Sequence, residues 1–379
     1  MAPASLPSHI DKETVAQLLG GINQHVEALM SGDVKAREAA IALCRSLASA
    51  LEYPSEAIVR HTWVEFLLTQ SLSSARRMRL LASMGIVREV DVDSYVSNSY
   101  AKAMTVPIFR DSVNLMHDVC VPMNLKTADF FQKHGYSVPT DALDTPAQHL
   151  HDVKGKTHII QLITEHAEPQ ALASMMATWM LDRPHWSGED FYPVKDRLIE
   201  GAATDANSVF LVDVGGSKGH DLEKLLDRHP LDTFPGHLAL QDLGEVILSI
   251  SENALPPGVL ALPHDFFTPQ PIRGARAYFM HSIIHDYPDD KAKDILENVV
   301  TAMKKGCSKL LCWDFVLPDR GAPSTLMALD WEMMSFYAAS ERSESSWKRL
   351  LEDSELGLKV TGIWNYSQFD QSVIEAELA

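Results

Sequence analysis

The chain has 379 residues, 46% of them hydrophobic, and a formal net charge of −18. That length suits two domains, or one large domain with an appendage, and the hydrophobic share is enough for a sizeable core. An acidic balance of this size argues against a general nucleic-acid or anionic-membrane binder, which would present a basic surface; solubility alone accounts for it. The four cysteines, Cys44, Cys120, Cys307 and Cys312, form neither a CxxC pair nor a zinc spacing. The first residues carry no secretory pattern, and there is no run of about 18 apolar residues. The expectation is a cytoplasmic protein with reduced thiols and no bound metal.

Residues 1–12 are polar and contain proline. Apolar residues then recur at helical spacing from Thr14 to Met30 (Val15, Leu18, Leu19, Ile22, Val26, Leu29), from Val34 to Leu51, and over Ser73–Met84, where Gly85 ends the pattern. Two short strands, Ile86–Val90 and Tyr95–Asn98, flank Asp91-Val92-Asp93. Helix, glycine and a short strand pair outline a winged-helix unit over residues 1–104. The acidic composition gives it packing or dimerisation as a task rather than DNA binding. Residues 105–200 read as mostly helical. Leu115, Met116 and Val119 lie in one helix that Pro122 ends, Ile159–Ile163 in another, and Leu172–Met180 in a third. The methionines suit an adaptable apolar pocket, although an ordinary helical core has the same pattern. Arg183-Pro184-His185-Trp186 and Tyr192-Pro193 break the helices before the next domain.

Over residues 201–379 strands and helices alternate. Strands are expected at Val209–Val214, His237–Gln241, Leu260–His264, Ala275–His281 and Ser308–Phe315. Helices are expected at Asp221–Asp227, Leu243–Ser251 and Asp289–Met303. Leu358–Trp364 and Ser372–Leu378 form a terminal strand pair. Such alternation implies an α/β fold with a mostly parallel sheet covered on both faces.

Ligands of such sheets sit beyond the C-terminal strand ends. The first strand leads into Asp213-Val214-Gly215-Gly216-Ser217-Lys218-Gly219, a tight turn at a helix N-terminus that a ligand can approach closely. Asp242 ends the second strand, where a carboxylate can accept from ribose hydroxyls. Asp265 ends the third, where it can accept from an adenine amino group with Phe266 beside the ring. Each acid alone would equally serve as a helix N-cap; all three in strand order are less easily explained that way. Ser217 stands where a dinucleotide fingerprint has glycine, and the acid follows later than the usual spacing of roughly 20 residues. An adenosyl ligand without a pyrophosphate fits better, and S-adenosyl-L-methionine (SAM) is the candidate.

His281-Ser282-Ile283-Ile284-His285-Asp286-Tyr287-Pro288 follows the fourth strand. His285, past the strand end, has the titration range of a general base, although a loop histidine can simply cap the next helix. Asp314 in an apolar strand needs a partner, and an imidazole N–H would serve. Glu341 is a second candidate acid, indistinguishable by pattern from surface charge.

These residues together resemble the cation-independent, plant-type O-methyltransferases in their fungal branch, from about residue 50 onward. The resemblance rests on Val212-Asp213-Val214-Gly215-Gly216, Asp242-Leu243, His264-Asp265-Phe266-Phe267, the segment from His281 to Asp290, Val316-Leu317-Pro318 and Glu341-Arg342-Ser343. It implies a Rossmann-like class I methyltransferase domain with a terminal antiparallel strand, preceded by a winged-helix-like dimerisation domain. It also implies a homodimer acting on a small hydroxylated acceptor, an aromatic or polyketide-like secondary metabolite. By this resemblance Asp213, Gly215, Gly216, Asp242, Leu243, Asp265, Phe266 and His281 bind SAM, His285 deprotonates the acceptor, and Asp314 and Glu341 orient His285. A related scaffold use, pericyclic or dehydrative chemistry with SAM bound but no methyl transfer, stands as the alternative, beside a non-catalytic SAM binder. Ser217 replaces the third glycine of the family's turn, His281 stands where many relatives have Lys or Arg, and Asp314 is shorter than the usual Glu. Roughly thirty residues are missing between His61-Thr62-Trp63 and Ser73–Met84 by typical domain size.

Overall fold

The computed structural model describes residues 12–51, 78–79, 81–82, 86–156, 159–167, 170–180, 183–202, 208–251, 254–352, 355–367 and 370–379. The chain divides into two compact units, one ending at Ala103 and the other beginning at Met104. The helical segment 105–200 and the sheet-forming segment after it both fall in the second unit.

In the first unit, α1 (Lys12–Gln24), α2 (Val26–Met30) and α3 (Val34–Leu51) form the helical part. The single helix expected from Thr14 to Met30 is interrupted at His25, whose amide bonds back three residues to the Ile22 carbonyl at 3.1 Å, tightening the turn. α1 buries none of its residues, and Leu19, Val26, Leu29 and Met30 stay exposed. Most of the helix expected over Ser73–Met84 lies outside the described residues, as does the stretch where the shortening falls; Met78, Arg79, Leu81 and Ala82 are helical. The expected strand pair is an antiparallel hairpin of β1 (Val87–Asp91) and β2 (Ser94–Ser97). Asp93 turns it with a φ of 52° and is paired to Arg79 at 2.6 Å. α4 (Ser99–Ala103) follows.

The second unit begins with α5 (Pro107–Leu115), α6 (Val121–Leu125), α7 (Thr127–Lys133), α8 (Pro146–His151), α9 (Ile159–His166) and α10 (Ala171–Met180). Pro122 does not end the first of these as expected. Met116–Cys120 widen into a π turn that joins α5 to α6 with helical backbone throughout, and Pro122 is carried within the run just after it.

The sheet contains β3 (Val209–Val214), β4 (His237–Asp242), β5 (Val259–Pro263), β6 (Ala277–His281), β7 (Lys309–Asp314), β8 (Leu358–Asn365) and β9 (Ser372–Leu378) in the order β5-β4-β3-β6-β7-β9-β8. The first five pair in parallel, and β9 joins antiparallel to both β7 and β8. Helices α11 (His220–Arg228), α12 (Gly244–Ser249), α13 (Asp289–Val300), α14 (Ser324–Tyr337) and α15 (Glu344–Glu352) complete the unit. α14 and α15 were not anticipated from the sequence.

Strand side chains alternate between two cores. Val212, Val214 and Met280 pack with Ile295 of α13 and Leu350 of α15. Phe210, Phe279 and Trp313 pack with Leu222 and Leu225 of α11, and with Trp186 and Tyr192. The Pro-rich segment is therefore a wedge against the sheet. It is pinned where Tyr192 Oη and Lys309 Nζ donate to the buried Glu375, at 2.6 and 2.8 Å. This clasp lies at the start of β7, leaving the opposite, C-terminal ends of the parallel strands to carry the site.

Candidate active site

Strand order reverses between β3 and β6, which creates a crevice at their C-terminal ends. The turn after β3 is held down by the Gln241 carbonyl, which accepts from Gly215 N (2.8 Å) and Gly216 N (3.1 Å). A Cβ on Gly216 would fall 2.3 Å from Asp213 Oδ2, and one on Gly215 2.8 Å from Ile283 Cδ1. Gly216 is thus demanded by packing beneath the turn, and Gly215 by its left-handed φ of 71°. Asp213 lies sealed beneath the turn, and neither carboxyl oxygen has a hydrogen-bond partner among the described residues. Burial, with Asp221 and Asp242 adding to it, pushes the Asp213 carboxyl well above its ordinary value.

The crevice side is different. Asp242 Oδ2 accepts from Ser217 N at 2.8 Å and Oδ1 from Leu243 N at 2.7 Å. Two backbone donors fix this half-buried carboxylate, and each oxygen retains a lone pair for a ligand hydroxyl. Ser217 pays for its bond with a left-handed φ of 53°. Asp265 Oδ1 accepts from Phe267 N at 2.9 Å. Phe266, Phe267 and Tyr287 form a ring cluster with centroids 5.2–5.9 Å apart, and Leu243 is exposed beside Asp242. A fixed diol acceptor, an aromatic cluster beside a second acid, and the N-terminus of α11 entered through Gly219 at φ 80° together fit an adenosyl group and its amino-acid tail.

His281 ends β6 under these elements. Its Nδ1 meets Asp221 Oδ2 at 2.7 Å and its Nε2 meets Gln371 Oε1 at 3.0 Å, while its ring stacks on Trp313 at 4.0 Å. Both ring nitrogens have protein partners, so in this arrangement His281 buttresses α11. Asp221 also meets His185 Nε2 at 3.2 Å; although burial works against ionisation, His281 and His185 hold its carboxyl below the usual range.

His285 sits on a single 3₁₀ turn, Ile284–Asp286, reached by a sharp bend at Ser282 (φ 52°). Ser282 N bonds the Trp313 carbonyl at 3.1 Å, and Gln371 Nε2 donates to Ser282 Oγ at 2.6 Å. Arg342 fastens the turn from the other side: its Nη1 donates to the Ile284 carbonyl (2.7 Å), and its Nη2 to the Tyr287 carbonyl (2.8 Å) and Asp289 (2.8 Å). This places neighbouring Glu341 against the imidazole, with Nδ1 at 2.8 Å from Glu341 Oε1. Glu341 is itself set by its amide, which donates to Asp330 at 2.9 Å. Nδ1 is thereby engaged, and Nε2 is the nitrogen turned to the remaining space, with Asp286 Oδ1 3.5 Å away.

Asp314 lies in the same cluster but makes no hydrogen bond: both its oxygens and Glu341 Oε2 are buried without a described partner. Burial pushes Asp314 up to about 7 and Asp286 up to about 6, with His285 pulling against each shift. Burial alone would lower His285, but Asp286, Glu341 and Asp314 outweigh it and carry the imidazole up to about 10. In the free protein His285 is an imidazolium held by acids. Among the described residues, no group of three His, Cys, Asp or Glu is arranged to hold a metal ion, and no helix is long and apolar enough to cross a membrane.

The O-methyltransferase domain model matches residues 197–356. O-methyltransferase mpaG of Penicillium roqueforti (strain FM164) is 32% identical over 97% of this chain and 99% of its own. The chain belongs to the O-methyltransferase family. Methyltransferase cfoC of Aspergillus candidus is 35% identical over 79% of this chain and 73% of its own. The alignment with mpaG runs over 401 positions, more than the 379 residues present here, so the relative carries residues this chain lacks. Among solved structures, one described as a pericyclic reaction enzyme superposes with a TM-score of 0.78 at 25% identity, over 97% of this chain and 100% of its own. LepI in complex with SAM gives 0.77 at 26%, over 97% and 99%.

The protein is a SAM-dependent O-methyltransferase of the plant type, and the crevice chemistry above suits that cofactor. The structure gathers Asp242, Leu243, Asp265 and Phe266 along one crevice, and His285, Asp314 and Glu341 in one cluster. It sets Asp213 beneath the turn and His281 within a protein network. Sequence reasoning passed over Asp286, Arg342, Asp221 and Gln371. The first two were inside quoted motifs and could have been found by asking what fastens His285; the last two had no local signal.

Proposed function

We propose that this methyltransferase methylates a hydroxyl of an aromatic or polyketide-like small molecule, with His285 as general base. The observation that carries the reading is the engagement of His285 Nδ1 by Glu341 at 2.8 Å, which leaves Nε2 to take the acceptor's proton. Bound SAM supplies an already activated methyl group and a positive charge. The chain's task is to align the acceptor oxygen and remove one proton. Asp242 and Asp265 hold the adenosyl end, the ring cluster excludes water around it, and Arg342 keeps the His285 turn in place. An incoming hydroxyl competes with Asp286 for Nε2. A cation beside the cluster offsets the acids that hold His285 protonated, and so favours the neutral, basic form. Asp314 acts through charge on the cluster and not through a hydrogen bond.

We also infer a homodimer through the first unit, as the exposed apolar residues of α1 and α2 are what a second copy would cover. A specific observation favours a second reading of the chemistry. An imidazolium at His285 is an acid and hydrogen-bond donor, suited to a rearrangement without methyl transfer, and a solved structure described as a pericyclic reaction enzyme shares this scaffold. The test is incubation with SAM and a panel of phenolic acceptors, read by mass spectrometry. A gain of one methyl group with release of S-adenosylhomocysteine supports methyl transfer. Product of unchanged mass with SAM intact supports the second reading and overturns the first.

A further inference from the structure

One acid near the site is used by neither the cofactor crevice nor the His285 cluster. Glu332 lies on α14, the helix that packs both on the 3₁₀ turn of His285 and on α6. It is half-buried, and no hydrogen bond or ion pair to a described residue holds its carboxyl; burial alone acts on it, pushing it up to about 6. Its surroundings are apolar. Cys120, in its electrostatic reach, is buried in a cluster with Leu115, Met123 and Phe336. Tyr337 lies within reach of both Glu332 and Asp286, and so links this acid to the catalytic cluster. Two further polar atoms, one on α14 and one on α6 packed against it, lack described partners. Ser335 Oγ, three residues on and on the same side of the helix, is fully buried, and Asn124 Oδ1 is buried on α6. A carboxylate in such a setting, with no cation supplied by the protein, is costly unless a ligand supplies one.

We propose that Glu332 is a specificity-determining residue that pairs with a basic nitrogen on the acceptor while the acceptor's hydroxyl lies at His285. The inference rests on the methyl-transfer reading for the hydroxyl and adds the chemical class of the acceptor. α14 packs on the turn that carries His285, so Glu332 and His285 stand on adjoining elements, and the acceptor class is a phenol that also carries an amine. Ser335 and Asn124 add acceptor atoms for the remaining N–H groups.

The probes are dopamine, ethylcatechol and dihydrocaffeate, which share a catechol and differ in carrying a cation, no charge or an anion. Wild-type protein is expected to methylate dopamine with a kcat/KM at least tenfold above dihydrocaffeate. Glu332→Gln should erase that preference through KM more than kcat, and Glu332→Arg should invert it. Melting temperature and SAM affinity of both variants serve as folding controls. Binding of the same probes to protein loaded with S-adenosylhomocysteine, measured by calorimetry, repeats the comparison without turnover. Tight dopamine binding that Glu332→Gln abolishes, with no methylation of any probe, supports the inference and fails the methyl-transfer reading. Equal binding of all three probes in the wild type, or a preference that survives Glu332→Gln, overturns the inference whether or not methyl transfer is seen.

Discussion

The cofactor crevice and the His285 cluster lie at the same end of one sheet, yet they solve opposite problems. Asp242 is half-buried at the crevice, and backbone donors from Ser217 and Leu243 engage both its oxygens. Its geometry is finished before any ligand arrives. Around His285, three acids crowd one imidazole, and only Glu341 bonds it directly, while Asp314 keeps two buried oxygens without a partner. A carboxylate with both oxygens already held by backbone donors is aimed in advance. A buried cluster stores its charge in a protonated histidine, and its state depends on what enters. The first region should therefore govern affinity, and the second should govern rate and its pH dependence.

The largest expected effect separates the two regions. His285→Ala should lower methyl transfer by about a thousandfold, within the span usual for a general base, while SAM affinity by calorimetry stays within a few-fold. Equal loss of both would merge the regions and remove the purely catalytic role. Glu341→Gln comes next, with a loss of roughly tenfold to a hundredfold in kcat at neutral pH. The pH profile carries more information. His285 must be neutral to act, and its titration is held up at about 10, so kcat/KM of the wild type should climb as pH rises from 7 toward 10. Removing the Glu341 charge lowers that titration, so the limb should move to lower pH. An unmoved limb would assign the titration to the acceptor hydroxyl instead. The stability sign is consistent: a raised histidine contributes stability fully present below its unfolded value of about 6.5 and loses it as pH climbs through the folded value. The stability gap between wild type and Glu341→Gln should accordingly narrow at alkaline pH in chemical denaturation.

The same contrast explains what could be read in advance. The parallel strands, the terminal strand pair and the acids at strand ends were legible because each is a local pattern: a β-branched run, a glycine turn, an acid after a strand. His285 was legible for the same reason. Its acid partner Glu341 was named only through the family resemblance, since it lies 56 residues away, and an acid near α15 has no periodicity to distinguish it from solvated charge. Arg342 was missed because its task is to bond carbonyls of the His285 turn, which no spacing announces. Pro122 does not end the helix because a π turn carries the chain past it into α6, and no local spacing announces such a turn.

At the crevice, Asp242→Ala should weaken SAM binding by roughly tenfold to a hundredfold, the range of a lost hydrogen bond to a charged group. Part of that loss belongs to the freed amides of Ser217 and Leu243, which would no longer be held in place. Asp242→Asn keeps one acceptor oxygen and should fall between the two. If Asp242→Ala binds SAM as tightly as wild type, preorganisation at this end has no bearing on affinity.

The smallest effect tests whether the irregular turn residue carries a penalty. Ser217 holds a left-handed φ of 53°, a conformation that strains a residue with a Cβ by about 1 kcal/mol or more, whereas glycine enters it freely. Glycine also gains freedom in the unfolded chain, which removes up to about 1 kcal/mol of the benefit. The two terms nearly cancel, so Ser217→Gly should shift the melting temperature upward by no more than a few degrees. The Asp242 bond uses the backbone amide of residue 217, not its side chain, so SAM affinity should stay within about twofold. A loss of affinity beyond that range would show that a strained serine fixes this turn better than a relaxed glycine.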